Sequence, residues 1–519
     1  MSNETTRRSL LKSAALAGLA TLTGGAAETA SAQDNKAPAP KIAWKAPAAQ
    51  SGNNLNLIVL VSDTFRADNL EAYGSQWVQT PHLNAFAKEA VLFEHVYPEG
   101  MPTIPIRRQL YTGRRILPTH LYFQQDTVTI PGWHQLFIED VTLSETLRAA
   151  NYKTALIADL PHLFKPDRNF HRGFGSFQWI RGQEIDALGT PGRTPLDLSP
   201  YYPAEYIDRV QEAKQFARGQ QFSKFLEQYT ANRKEWTKNG DSIVQQTAKT
   251  AINWLEENHA SGPFYLQVEA FDPHEPWDPP QQFLEKYLKE PTKHSWPEPP
   301  YGDVKVPEEG VKRLRANYAG EASNVDYWYG QVLEKIKQLG LYDNSIIVFL
   351  ADHGALLNEQ NQWVKGPEKL RKQVTHVPFL VRLPKGEHGG KRISGFAQTP
   401  DVVPTLLGRL NLKPSERVTG EDLWTYVDGG KQNNREYAVS AYGWIASIRT
   451  HEWNYSAVWN PSRYTGNYTP QLYDVQKDPE ELHNVADQHP AVLKELQSKL
   501  DAYIESGRHL TNGSFSQEL

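Results

Sequence analysis

Leu55-Asn56-Leu57-Ile58-Val59-Leu60-Val61-Ser62-Asp63 is an apolar run of strand length that ends in an acid. Apolar residues on consecutive positions, rather than alternate ones, predict a strand buried on both faces. Three later segments repeat the arrangement. Lys153–Ala158 is followed by Asp159 and His162, Phe264–Phe271 by Asp272 and His274, and Ser345–Leu350 by Asp352, His353 and Gly354. Helix signals lie between them. Thr142-Leu143-Ser144-Glu145 has capping-box spacing, with Leu143 and Leu147 one turn apart. Ile243 to Leu255 carries an apolar stripe, and a further helix is expected from about Val325 to Leu339. Helices alternating with buried strands predict an α/β layered sheet. Ligands bind such sheets at the carboxyl ends of the strands, so the acids and imidazoles after these strands mark one candidate site. Each alone reads as a capping or loop residue; the joint pattern argues for function.

Thr103-Ile104-Pro105-Ile106-Arg107-Arg108-Gln109-Leu110-Tyr111-Thr112-Gly113-Arg114 resembles the sulfatase signature, which begins Cys or Ser, then x-Pro-Ser-Arg, and ends Leu-x-Thr-Gly-Arg. Pro105, Arg107, Leu110, Thr112, Gly113 and Arg114 match in register, while Ile106 replaces the serine and Thr103 the residue that sulfatases oxidise to formylglycine. Other stretches follow in family order. Val61-Ser62-Asp63-Thr64-Phe65-Arg66-Ala67-Asp68 is similar to the first metal motif, Phe271-Asp272-Pro273-His274-Glu275-Pro276-Trp277 to a His-x-Pro-Trp segment, and Ala351-Asp352-His353-Gly354 to an Asp-His-Gly metal motif. Trp363-Val364-Lys365-Gly366 resembles the segment carrying a substrate-binding lysine, and Val377–Arg382 the strand after it. Gln471–Asp474 with Asp478-Pro479-Glu480 and Asn484 resembles the sulfatase C-terminal subdomain. The chain is identified by these motifs as a member of the sulfatase branch of the alkaline phosphatase superfamily. The resemblance implies a layered α/β/α catalytic domain at 55–425 with a large, mostly parallel sheet, and a smaller α+β subdomain with an antiparallel sheet at 426–519.

The 519 residues suffice for a large core, and 39% hydrophobic with 22% charged residues describes a soluble globular protein. A net charge of -5 gives no reason to expect nucleic acid or an anionic membrane as partner. With Cys 0 there is no disulfide, thiol nucleophile or thiolate zinc site. Thr6-Arg7-Arg8-Ser9-Leu10-Leu11-Lys12 reads as a twin-arginine signal, with Ala30-Ser31-Ala32 as the cleavage site. The expectation is a signal peptide at 1–32, a flexible Ala-, Pro- and Lys-rich leader at 33–54, passage through the Tat translocase, and a bacterial periplasmic or secreted location without stable membrane insertion.

Asp63, Asp352 and His353 offer two carboxylates and an imidazole, and the Thr103 hydroxyl would complete one side of a cation site. The resemblance implies that these four surround one divalent metal; carboxylate oxygens suit Ca, and the imidazole pulls preference toward Mn or Zn. It also implies that Arg107, Lys365 and His274 hold the oxyanion or protonate the leaving group, Arg107 through its planar donor fork. His162 stands where sulfatases carry Lys-x-His, but Asp159 replaces the lysine. Threonine oxidation would give a ketone, so no formylglycine is expected. Phosphorylated threonine can be opened by water, whereas a sulfated one has no aldehyde exit. Three readings follow. One is a sulfatase-like hydrolase of sulfate or phosphate esters, small-molecule or glycan, with Thr103 as metal-bound nucleophile. Another is a phosphodiesterase or phosphotransferase working through phospho-Thr103. The last is a non-catalytic oxyanion or glycan binder. Trp179, Trp277 and Trp296 are candidates for stacking on sugar rings, with core packing as the alternative for each.

Overall fold

The computed structural model describes residues 46–118, 130–165, 167–184, 186–212, 222–237, 241–301, 304–429 and 435–511, all within the compact unit Ile42–Leu519. The expected signal peptide, and the expected leader up to residue 45, lie outside the described residues. Gln50 and Asn53, placed by sequence in the leader, are fastened to the core. Gln50 Nε2 donates to Lys413 O (3.1 Å) and Asn53 Nδ2 to Arg409 O (2.7 Å).

The large sheet has eight strands. From edge to edge they are Arg392–Gln398, Val91–Tyr97, Phe379–Arg382, Ser345–Ala351, Asn56–Ser62, Phe264–Ala270, Lys153–Ala158 and Ser176–Trp179. Phe379–Arg382 runs antiparallel to both neighbours, and the others share one direction. Every residue of Asn56–Ser62, Phe264–Ala270 and Ser345–Ala351 is buried, which is why Leu57–Val61 and Ile346–Ala351 read as continuous apolar runs, while Phe264–Ala270 is interrupted by Gln267 and Glu269. Ser62 pairs with Ala270 on one side and Ala351 on the other. That register brings Asp63, Phe271 and Asp352 level at one edge of the sheet.

The capping box forms as expected: Thr142 N donates to Glu145 Oε2 (2.8 Å) and Glu145 N to Thr142 Oγ1 (3.1 Å), opening the helix Leu143–Ala149. The apolar stripe at Ile243 becomes the helix Ile243–Asn258. The helix expected from Val325 begins much earlier, spanning Glu308–Gln338. Its first half buries Asn317, Glu321, Ser323 and Asn324 beside apolar residues, so no clean apolar stripe marks it in the sequence.

A second sheet has the order Gln471–Asp474, Trp453–Val458, Ile445–Arg449, Ala438–Tyr442, Gly100–Met101. Its first four strands are antiparallel, and Gly100–Met101 joins in parallel. The helix Pro490–Thr511 covers one face through Leu496, Leu500 and Ile504, against Val439, Ile448, Tyr455 and Leu472. Among the described residues, no helix is long and apolar enough to cross a membrane.

Candidate active site

Three segments meet at the carboxyl edge of the large sheet. Asp63 and Asp352 leave adjacent strands, and the helix Thr103–Thr112 starts beside them. Gly113 ends that helix with φ +67°, its N–H on Gln109 O at 2.8 Å; a Cβ there would come within 3.0 Å of Val403 and Val418. Thr103 is the first residue of the helix, so its hydroxyl lies at the positive end of the helix dipole.

Asp63, Thr103, Arg107, Asp352 and His353 form one buried cluster, each no more than 1% exposed. His353 Nε2 lies 3.5 Å from Thr103 Oγ1, 3.7 Å from Asp63 Oδ1 and 3.6 Å from Asp352 Oδ2. His353 Nδ1 faces Gly354 O at 3.0 Å, so the donor set is completed by Nε2. Gly354 is required for the close turn: a Cβ would meet Gln373 O at 2.2 Å. Arg107 Nη1 donates to Asp63 Oδ2 (3.1 Å) and, more closely, to Asp352 Oδ2, while Nε donates to Glu269 Oε2 (3.0 Å). Arg107 Nη2 is buried without a partner among the described residues. Burial, and next Asp352, push the Asp63 carboxyl well above its usual range. Against its own burial, Asp352 is held down to about 2 by Arg107. Burial lowers His353 to about 4.

The sulfatase resemblance implies a divalent metal ion, and the residues fit one. Ligand atoms of Asp63, Asp352 and His353 all lie within 4.8 Å of one another, and the imidazole is neutral, as a metal ligand must be.

Lys365 and His274 form an adjoining pair. Lys365 Nζ donates to His274 Nε2 at 2.7 Å, and His274 Nδ1 lies 2.7 Å from Glu275 O. The imidazole is therefore neutral with its proton on Nδ1. Burial, then Lys365, hold its pKa well below the usual value. Burial opposes the Lys365 charge, but Glu275 at 3.5 Å, together with Asp63 and Asp352, outweighs it and raises the lysine. Tyr301 OH bonds the same carboxylate. The Lys365 charge also acts on Asp63 and His353, tying the pair to the cluster.

His162 sits apart from the cluster, its Nε2 3.1 Å from Glu184 Oε2. Its ring meets Phe271 edge-on at 6.2 Å, and Phe271 stacks on His274 at 4.0 Å. Asp159 is turned away: it accepts from Thr247 Oγ1 (2.9 Å) and Phe271 N (2.5 Å). Asp272 accepts from Gln183 Nε2 at 2.8 Å. Neither acid takes part in the metal-ligand group. Trp277 and Trp296 are 0% exposed and pack in one hydrophobic cluster, so neither can stack on a sugar ring. Trp179 is part-buried against Phe164 (5.1 Å) and Arg181 (4.5 Å).

Sequence reasoning did not find Glu269, Tyr111, Glu275 or Tyr301. Glu269 accepts from Arg107 and from Tyr111 OH at 2.7 Å. Its signal is the alternation Tyr265, Gln267, Glu269 within an apolar strand, which puts three polar groups on one face. They bond in series toward Arg107.

A mostly parallel sheet that gathers buried carboxylates, an imidazole, an arginine and a hydroxyl at one edge defines an alkaline-phosphatase-like hydrolase of oxyanion esters. The chain belongs to the sulfatase family: residues 55–412 match the Sulfatase family model, and residues 369–508 match that of the N-sulphoglucosamine sulphohydrolase C-terminal region. It is 23% identical over 496 residues to an arylsulfatase of Clostridium perfringens, covering 88% of this chain and 97% of that protein. The phosphonate monoester hydrolase of Agrobacterium radiobacter has a similar fold, with TM-score 0.63 at 21% identity over 87% of this chain and 95% of that one. A protein solved with its substrate D-glucosamine-2-N, 6-O-disulfate gives TM-score 0.60 at 18% identity, covering 90% and 100%. The protein is a sulfuric or phosphoric ester hydrolase of the sulfatase type.

Proposed function

We propose that the protein hydrolyses a sulfate or phosphate ester with Thr103 as nucleophile, beside one divalent metal ion held by Asp63, Thr103, Asp352 and His353. The observation that carries this reading is the approach of Thr103 Oγ1, Asp63 and Asp352 to a single nitrogen, His353 Nε2, within 3.7 Å. When bound, the metal supplies Lewis acidity that lowers the pKa of the threonine hydroxyl. The imidazole favours Mn or Zn over Ca.

The chain's own residues account for the rest. The helix N-terminus favours negative charge on Thr103 Oγ. Arg107, gripped by Glu269, keeps Asp63 and Asp352 facing the hydroxyl and has Nη2 to offer an ester oxygen. Lys365 is the charged donor of its pair and His274 the neutral acceptor, so Lys365 holds a further ester oxygen or protonates the leaving group. Water can open a phosphorylated Thr103, whereas a sulfated one lacks the collapse available to a formylglycine hydrate. This favours phosphoester turnover, with water or another alcohol as acceptor. The disulfated glucosamine bound by a structural neighbour supports an ester carried on a sugar. Arg7 and Arg8 support Tat export to the periplasm or beyond.

The test is turnover of an aryl sulfate, an aryl phosphate monoester and an aryl phosphodiester, with Thr103→Ala as control. Phosphoester turnover lost in the variant supports the reading. Full activity in the variant overturns it.

A further inference from the structure

Glu275 touches both members of the Lys365–His274 pair. Its backbone carbonyl faces His274 Nδ1 at 2.7 Å, and its carboxylate Oε1 accepts from Lys365 Nζ at 3.5 Å. The segment that carries it does not need this carboxylate to hold its shape. His274 N donates to Phe271 O (2.9 Å), and the fully buried Trp277 donates Nε1 to Pro273 O (2.8 Å) and N to Pro297 O (2.6 Å). Tyr301 OH donates to Glu275 Oε1 and lies 3.4 Å from Lys365 Nζ. Lys369 Nζ donates to Trp363 O (2.7 Å) and Tyr301 O (3.3 Å), which ties the short strand Trp363–Val364 before Lys365 to the segment of Tyr301. The second carboxylate oxygen, Oε2, lies 3.5 Å from His274 Nδ1 and makes no hydrogen bond among the described residues. A buried carboxylate oxygen left without a hydrogen bond costs stability, so fastening the chain does not account for Glu275.

We infer that Glu275 is a positioning residue that sets both members of this pair: its carboxylate keeps Lys365 a charged ammonium held at His274 Nε2, and its carbonyl keeps the imidazole proton on Nδ1. The inference rests on the proposed reading of this pocket as the ester-hydrolysing site, and adds to it what holds the donor in its donating form. Burial alone favours the neutral amine. Of the groups that oppose burial at Lys365, Glu275 acts most strongly, followed by Asp63, Tyr442 and Asp352. Asp63 and Asp352 are the carboxylates that a divalent cation would occupy. Glu275 is therefore the one of the three carboxylates whose charge still answers Lys365 when a metal is bound. Glu275 in turn feels Lys365 and the charge of Glu184, and His274 feels Lys365, Glu184 and His353. A carboxylate that raises a lysine extends the ammonium to higher pH, so removing its charge brings deprotonation to lower pH. The two roles can be separated, because Glu275→Gln removes the charge and leaves the backbone carbonyl in place.

The experiment is a pH titration by 15N NMR of the full chain labelled at lysine and histidine, assigned with Lys365→Gln and His274→Gln. It compares wild type with Glu275→Gln, in EDTA and with Zn. The Lys365 pKa is expected to fall by at least about one unit in Glu275→Gln in both solutions, while His274 at pH 7 keeps its proton on Nδ1. On a turned-over aryl ester, the alkaline loss of kcat/KM is expected to move to lower pH by the same amount, with the rate below it little changed. Glu275→Asp should restore part of the shift. At alkaline pH, Glu275→Gln should add little to the loss already caused by Lys365→Ala. The inference is overturned if Lys365 titrates at the same pH with glutamine at 275, if the fall disappears with Zn, if the His274 proton moves to Nε2, or if the two losses multiply independently. Should Glu275→Gln not fold, a Lys365 that is neutral at pH 7 in the wild type overturns it equally. The NMR titration needs no turnover, so an inactive chain whose Lys365 depends on Glu275 would refute the proposed function and leave this inference standing.

Discussion

Replacing Arg107 by glutamine should be among the most damaging single changes, and its cost should depend on metal. The guanidinium is 0% exposed and pairs with Asp63 at 3.1 Å, Glu269 at 3.0 Å and Asp352. Asp63 is pushed toward its protonated form while Asp352 stays ionised, so the arginine answers at least one full buried charge. Removing one partner of a buried pair costs about 3–5 kcal/mol because the remaining charge has no solvent to return to. The loss is limited because the stranded acids can take up a proton. A divalent cation between Asp63 and Asp352 would supply the missing charge, and binding to the folded state alone stabilises by about 2.7 kcal/mol at a hundredfold excess over Kd. The assay is urea unfolding followed by tryptophan fluorescence, in EDTA and with Mn or Zn. The expected result is a deficit of about 3–5 kcal/mol in EDTA that narrows by at least about 1 kcal/mol with cation. A deficit below about 1 kcal/mol in EDTA would refute the charge accounting. A deficit untouched by cation would refute metal binding between these carboxylates.

Asp352→Ala should abolish both divalent-cation binding by calorimetry and ester turnover; retained turnover would place the chemistry elsewhere. Glu481→Ala should destabilise by about 3–5 kcal/mol in thermal or urea unfolding. Glu481 is 0% exposed and binds Arg449, Asn454 Nδ2 (2.8 Å) and the Lys372 amide (3.2 Å). His376 is held down to about 4 by burial, with Nε2 on Glu94 O at 2.7 Å, so it folds neutral. A depressed histidine stabilises fully above its unfolded value near 6.5 and loses that contribution as pH falls toward 4. Stability should therefore drop over this window by up to about 1.4 kcal/mol per pH unit, and His376→Gln should flatten that slope.

The legible parts of the fold are those whose burial is uniform. Asn56–Ser62 and Ser345–Ala351 lie between parallel neighbours and show as plain apolar runs. Ser176–Trp179 does not, because it is an edge strand with three exposed residues. The site divides the same way. Asp63, Asp272, Asp352 and His353 follow strand ends, and a strand that stops in an acid can be read locally. Glu269 sits inside an apolar strand, and Arg107, its partner, is 162 residues away. The ring of His376 packs on Tyr97 and Tyr73, in the second strand of the sheet and the segment before it, a contact that no local pattern announces.

The least legible feature is the reach of the second sheet into the first site. Most of its strands come from residues 438–474, as the C-terminal motifs imply, but its edge is Gly100–Met101, two residues upstream of Thr103. Ala441 N donates to Glu99 O at 2.8 Å, and the fully buried Glu99 carboxylate accepts from Ile116 N (2.9 Å) and Leu117 N (3.0 Å). Both ends of the segment carrying the helix Thr103–Thr112 are therefore fixed to one carboxylate and to the C-terminal sheet. Gln109, inside that helix, donates to Gly100 O at 2.9 Å and closes the loop. A nucleophile at a helix N-terminus is only as well placed as the backbone that enters the helix. Here that backbone is an edge strand of the C-terminal sheet, so the position of Thr103 depends on residues more than three hundred positions later. Two residues form too short a strand to show any periodicity, which is why this dependence cannot be read from the chain and emerges only from its pairing.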